Sequence, residues 1–249
     1  MKKLKLGFLF SVLFSFFLGT AVLAQQELPI ALDGLAKSGS FSTSINLILS
    51  LGVITLIPFF LMSTTCFLRV IIVLSMIRQA IGTQQAPPNP VIISLSLFIT
   101  VFVMSPTFDE VRQTALTPFQ EGRITQKEAL SLGIKPFQKF MLRFTREKDL
   151  GLFLEFSQVR YTGVKEDVPI FVLIPAFIIS ELKTAFQIGF LLFIPFVVID
   201  LVVSNILLSL GMFMLSPALV SLPFKILLFV LTDGWNLVIH GLLMSYRGP

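Results

Sequence analysis

The sequence predicts an all-α membrane protein, and three observations carry that prediction. Hydrophobic residues make up 55% of the chain and charged ones 13%, with a mean hydropathy of +0.89; soluble domains carry about 25% charged residues. Apolar stretches run far without interruption, and Ser38 to Leu68 holds no charge at all. Prolines at 58, 106, 175, 195, 217 and 223 cut these stretches into helix-sized pieces, as expected of membrane-associated helical hairpins with proline-broken helices.

From the N-terminus, MKKLKLGFLFSVLFSFFLGTAVLAQQ has the layout of a secretory signal peptide, 1–24. Lys2, Lys3 and Lys5 form the basic region, an apolar core runs from Leu6 to Leu23, and Val22-Leu23-Ala24 offers a cleavage site before Gln25. Left uncleaved, the stretch would be a first transmembrane helix. Cleavage would put Gln25 on the outer side of a bacterial inner membrane. Those three lysines also supply much of the formal charge of +5, so no nucleic-acid partner is expected.

Residues 25–104 make a polar linker and a first apolar hairpin. Ser44–Ile81 is predicted as one long apolar helix or two, bent near Pro58. GTQQAPPNP, residues 82–90, is a turn, because Pro87, Pro88 and Pro90 cannot continue a helix. Val91–Met104 follows, a short span before a break at Ser105-Pro106.

Residues 105–167 hold ten Lys/Arg and nine Asp/Glu, more than half of the protein's charge, and read as a water-facing helical segment on the extracytoplasmic side. Thr125-Gln-Lys-Glu128 has the spacing of a capping box, with Gly133 as the stop. Phe137, Phe140, Met141 and Phe144 then form one helical face. That face fits either a self-contained core or an interface with neighbouring subunits.

From Val168 the chain is apolar again. Residues 169–185, 186–210 and 218–245 are predicted as helices, with the break at 211–217. Glu181, Lys183, Asp200, Lys225, Asp233 and Arg247 are the only charges there. An ionisable group in an apolar helix is costly and usually pairs or faces water. Asp200 and Lys225 are expected to pair, within one chain or between copies; alternatively Lys225 snorkels to a headgroup. Arg69, Glu181, Lys183 and Asp233 are further buried ionisable candidates. The short second span and these charges suit helices buried in a larger assembly better than simple lipid crossing.

No phosphate loop, HExxH, GxSxG or ligand cluster is present, and Cys66 and His240 are each the sole residue of their type. No cofactor, metal or catalysis is expected. Asp200 with Asp233 would be a strained choice for a protease dyad, because Lys225 is the more economical partner. A small-solute transporter would want inverted repeats, and 45–104 and 170–245 show none.

Three blocks resemble the flagellar biosynthetic protein P family, the export-gate pore subunit of type III secretion: TTCFLRVIIVLSMIRQAIGTQQAPPNPVIISLSLFITVFVMSP at 64–106, KPFQKFMLRFTREKDLGLF at 135–153, and FQIGFLLFIPFVVIDLVVSNILLSLGMFMLSPALVSLPFKILLFVLTDGWNLV at 186–238. The resemblance implies self-association in about five copies with flagellar biosynthetic proteins Q and R. It further implies contact with other export-apparatus membrane proteins and passage of unfolded flagellar subunits across the inner membrane. The family's pore loop reads Gly-Met-Met-Met and acts as a gasket. The matching positions here are Met212, Phe213 and Met214, so the flanking methionines carry over and the middle one is replaced. Asp200 and Lys225 match family positions too. The alternatives are the equivalent subunit of a virulence injectisome, against which the signal peptide argues because flagellar members of the family tend to carry one, and a scaffold that never touches substrate.

Overall fold

A computed structural model describes residues 58–83, 85–157 and 168–247, with Gly52, Thr55 and Leu56. The signal peptide, the linker and most of the predicted helix before Pro58 lie outside the described residues. The chain divides into two units, Met1–Ile57 and Pro58–Pro249.

Every regular element among the described residues is helical. In the second unit, helix α1 is Pro58–Thr64 and α2 is Phe67–Ile81, bent from α1 by 87°. This bend falls at Thr65-Cys66. The cause is a run of hydroxyls. Ser63, Thr64 and Thr65 each donate to a carbonyl one turn back, and Thr65 Oγ1 also accepts the Phe67 N–H at 3.3 Å. Such side chains offer the backbone partners other than the helix ladder.

Arg78 closes the turn after α2, donating to Asn89 Oδ1 at 2.6 Å and to the Pro87 carbonyl at 3.2 Å. Helix α3, Asn89–Val111, then passes straight through Pro106, contrary to the expected break. Proline removes the N–H that would bond the Phe102 carbonyl. Ser105 Oγ donates to that carbonyl at 3.0 Å and restores the lost bond. A π-turn, Arg112–Leu116, leads to the short α4, Thr117–Gln120, and these elements form one rod from Asn89 to Gln120.

Helix α5, Gln126–Phe144, starts with the expected capping box: Thr125 N–H donates to Glu128 Oε2 at 2.8 Å, and Glu128 N–H donates back to Thr125 Oγ1. That backbone bond holds the Glu128 carboxyl below the usual carboxylate range. Gly133 does not stop the helix, which continues for eleven more residues; it lies beside Ala115, where a Cβ would make ordinary contact at 3.5 Å. Phe137, Phe140, Met141 and Phe144 pack within this chain, so the amphipathic face belongs to its own core. Phe137 meets Phe60 and Phe108 edge-on, and Phe140 meets Phe177. Helix α6 is Glu147–Phe156.

The predicted helices 169–185 and 186–210 are one continuous helix, α7, Ile170–Ser209. Nothing between Ala185 and Phe186 interrupts it, and Pro175 and Pro195 are carried inside it. At 1.5 Å per residue it is about 60 Å long, twice the hydrocarbon thickness of a bilayer. Conversely, the predicted helix 218–245 is two: α8, Pro217–Leu231, and α9, Gly234–Arg247, bent by 62°. The corner is Asp233, whose φ of 49° ends α8 in the left-handed region that Asp tolerates. At Gly234 a Cβ would come within 2.2 Å of the Phe229 ring, so only glycine fits the corner.

Helix α2 lies along α7, and α3, α6, α8 and the end of α9 pack around that pair. Among the described residues two helices, the 89–120 rod and α7, are long and apolar enough to cross a membrane. The α1–α2 and α8–α9 pairs would add two more if each bent pair is one span. This is an all-α membrane protein.

Candidate functional site: a polar spine on α7 and a bare loop at its end

Three polar clusters lie along α7, followed by an apolar tip. In the first, Glu181 is fully buried and takes a two-pronged ion pair from Arg69 of α2. Nε reaches Oε2 at 3.0 Å and Nη2 bonds Oε1. Tyr246 of α9 donates to Oε2 at 2.5 Å, and Arg69 Nη1 donates to Ser245 Oγ at 3.1 Å. The guanidinium lies 4.1 Å from the Tyr246 ring centroid. Among the described residues no buried side-chain nitrogen or oxygen lacks a partner, as a charge in so apolar a setting requires.

Two residues further on, Lys183 bonds Asp149 of α6. Asp149 is buried, although it lies in the charged segment, and it also accepts from Ser180 Oγ at 2.8 Å. Arg146 N–H donates to the same Ser180 Oγ at 3.0 Å, and its guanidinium reaches Thr184 at 3.0 Å and Gln187 at 2.6 Å. Burial pushes the Asp149 carboxyl up, but the Lys183 and Ser180 hydrogen bonds and the Lys183 and Arg146 charges outweigh it. The carboxyl sits below its ordinary value. The cluster's contribution to stability is therefore complete above the unfolded-state value near 4 and is lost as pH falls through the lower folded-state value. Asp149→Asn is expected to lower the melting temperature at pH 7, and the gap from the parent is expected to close toward pH 3. Melting curves at both pH values check this.

In the third cluster Asp200 meets α8 within the same chain. Lys225 Nζ donates to Oδ2 at 2.6 Å and Ser221 Oγ to Oδ1 at 2.5 Å. Lys225 is buried and Asp200 half-buried. Lys225 Nζ also stands beside the C-terminal end of α2, 3.9 Å from where a Cβ on Gly82 would be, a position favoured by the helix dipole. The pair is thus a clamp across the α7–α8 hairpin, and Lys225 has no need to snorkel. Asp233 stands apart: it is exposed, bonds Asn236 Nδ2 at 3.0 Å and forms the α8–α9 corner. Sequence reasoning left out Asp149, Ser180, Ser221, Ser245 and Tyr246; hydroxyls and one acid in a charge-rich segment carry no signal of burial.

Beyond the clamp no charged residue occurs from Leu201 to Phe224. At the end of α7, Gly211 with φ 73° closes a Schellman cap: its N–H bonds the Leu208 carbonyl at 3.1 Å and Met212 N–H bonds Leu207 at 2.9 Å. That left-handed cap is why a glycine precedes the methionines. Gly211→Ala is expected to cost about 1–2 kcal/mol, the price of a left-handed residue with a Cβ, measurable as a drop in melting temperature. Met212, Phe213 and Met214 follow, Phe213 76% and Met214 100% exposed, before Ser216 and Pro217 start α8. A cap, three outward apolar side chains and a proline restart make a short, firmly anchored loop with a soft tip.

A model of the FliP family matches residues 50–242. The chain belongs to the FliP family. It is 49% identical over 205 residues to the flagellar biosynthetic protein FliP of Bacillus subtilis (strain 168), covering 82% of this chain and 93% of that one. To the FliP of Pectobacterium carotovorum subsp. carotovorum it is 47% identical over 92% of this chain and 89% of the relative. To that of Aquifex aeolicus it is 48% identical over 90% and 93%. The FliP family match spans all three polar clusters up to Leu242, and so includes the 211–217 loop but stops short of Ser245 and Tyr246.

Proposed function

We propose that this chain is a pore-forming subunit of the flagellar protein export gate in the bacterial inner membrane, with no catalysis of its own. Kinship with flagellar biosynthetic proteins supports the flagellar setting over an injectisome. The observation that carries the pore reading is the loop: Met212, Phe213 and Met214 stand exposed at the tip of a charge-free hairpin that is capped at one end and clamped by Asp200, Ser221 and Lys225 behind. Thioethers are flexible and polarizable, so a ring of them from several copies moulds around a passing chain and closes again. An apolar constriction also resists ions by dewetting. Phe213 makes the seal bulkier than an all-methionine one.

Exposed apolar side chains along α7 and α8, such as Val198, Leu201, Leu219 and Phe224, give the surface on which further copies, about five, and the Q and R subunits would pack. A helix twice as long as a bilayer is thick suits an assembly that rises above the membrane on its periplasmic side, among the other membrane proteins of the export apparatus. Unfolded flagellar subunits are the cargo. A photo-crosslinker at position 213, in cells stalled with an export substrate, is expected to capture that substrate. An assembled complex with no capture at 212, 213 or 214 would make the chain a scaffold.

A further inference from the structure

The last described turn of α9 does more than end a helix. Three separate helices hold it. Arg69 of α2 donates to Ser245 Oγ and lies against the Tyr246 ring. Glu181 of α7 accepts the Tyr246 hydroxyl. Arg143 of α5 donates to the Arg247 carbonyl at 2.9 Å, while Phe140 and Phe144 of α5 pack on Tyr246 with centroids 6.3 and 5.0 Å away. The turn arrives there by the abrupt corner at Asp233-Gly234. Tyr246 is buried, in a helix whose neighbouring residues Met244 and Arg247 are exposed.

We propose that Ser245 to Arg247 form a latch that closes the α2–α5–α7 core, with Tyr246 as the positioning residue of the Arg69–Glu181 pair. The pair joins residues 112 apart, and two of its hydrogen bonds come from a segment synthesised after both. Until α9 is made and folded back, Arg69 Nη1 has no partner and Glu181 Oε2 keeps only its bond from Arg69 Nε, and a buried charge tolerates such a loss poorly. The core therefore reaches its closed form only once α9 is complete. This is independent of whether the 212–214 loop seals a pore.

The chain carries its own reporter. Cys66, the sole cysteine, is fully buried three residues before Arg69 and belongs to the same core cluster as Tyr246. Its labelling by N-ethylmaleimide in membranes holding the full-length chain reads how often the core opens. Tyr246→Phe, which keeps the ring and removes the hydroxyl, is expected to raise the labelling rate about tenfold, the effect of losing a hydrogen bond to a charged group. A stop after Met244 is expected to raise it further. In a Glu181→Gln background, Tyr246→Phe is expected to raise it less than about threefold, because the charge it serves is gone. An unchanged rate, or the same multiplication in both backgrounds, overturns the latch. Should Glu181→Gln alone leave Cys66 freely labelled, Met244→Ala on the exposed side of the same turn decides: equal effects of Met244→Ala and Tyr246→Phe overturn the proposal, and an effect confined to Tyr246→Phe supports it.

Discussion

Glu181→Ala is expected to destabilise the protein by about 3–5 kcal/mol, because it leaves the Arg69 guanidinium buried and unpaired. Arg69 and Glu181 are almost wholly sequestered from solvent, so water cannot replace the lost partner. Removing both charges together with apolar residues of similar volume, as in Arg69→Met with Glu181→Leu, is expected to recover most of the loss, since a buried pair gains little over a well-packed apolar contact. Lys183→Met tests the contrast. Its side chain is about half exposed, and without it Asp149 keeps the Ser180 hydrogen bond and the Arg146 charge, so a smaller loss of about 1.5 kcal/mol is expected. Melting curves of the purified protein separate the cases. A Glu181→Ala loss no larger than that of Lys183→Met would mean that Arg69 finds another partner or reaches solvent.

Gly189→Val is expected to be comparably severe for a different reason. A Cβ at Gly189 would lie 2.3 Å from Met76 Sδ, 2.6 Å from its Cε and 3.3 Å from its Cβ. Here α7 packs directly on Met76 of α2, and overfilling such a contact typically costs about 1–3 kcal/mol, with a branched side chain at the upper end or above. The thioether can swing aside, but Met76 Cβ cannot, so Gly189→Ala is expected to fall in the lower half of that range. Met76→Ala with Gly189→Ala should then be less damaging than the sum of the two single changes. Strict additivity would show that Met76 does not fill this gap.

Much of the fold was legible in the sequence, and the misses share a cause. The apolar composition, the 82–90 turn, the capping box at Thr125 and the break at 211–217 depend on neighbours in sequence, and each is where the pattern puts it. Proline misled at 106, where a break was expected. Its effect depends on whether something satisfies the freed carbonyl, and there a single hydroxyl, Ser105, does so. The Asp-Gly pair at 233–234 was a turn signal hidden inside an otherwise helical apolar run. At the site, the sequence picked out the isolated charges of the apolar helices, since cost alone marks them. It could not assign Arg69 to Glu181 across 112 residues, nor tell that Asp149 leaves the solvated charges around it to meet Lys183. Partners that meet only through tertiary packing leave no local trace.

The measurement that bears most directly on the pore reading is ion leak across the inner membrane of cells expressing the 212–214 deletion, with motility scored alongside. The account predicts cells that leak ions yet still export flagellar subunits, because the conduit remains and its seal is gone. An assembled complex that leaks nothing would contradict it, and would leave Met212, Phe213 and Met214 as the packing of a helix bend.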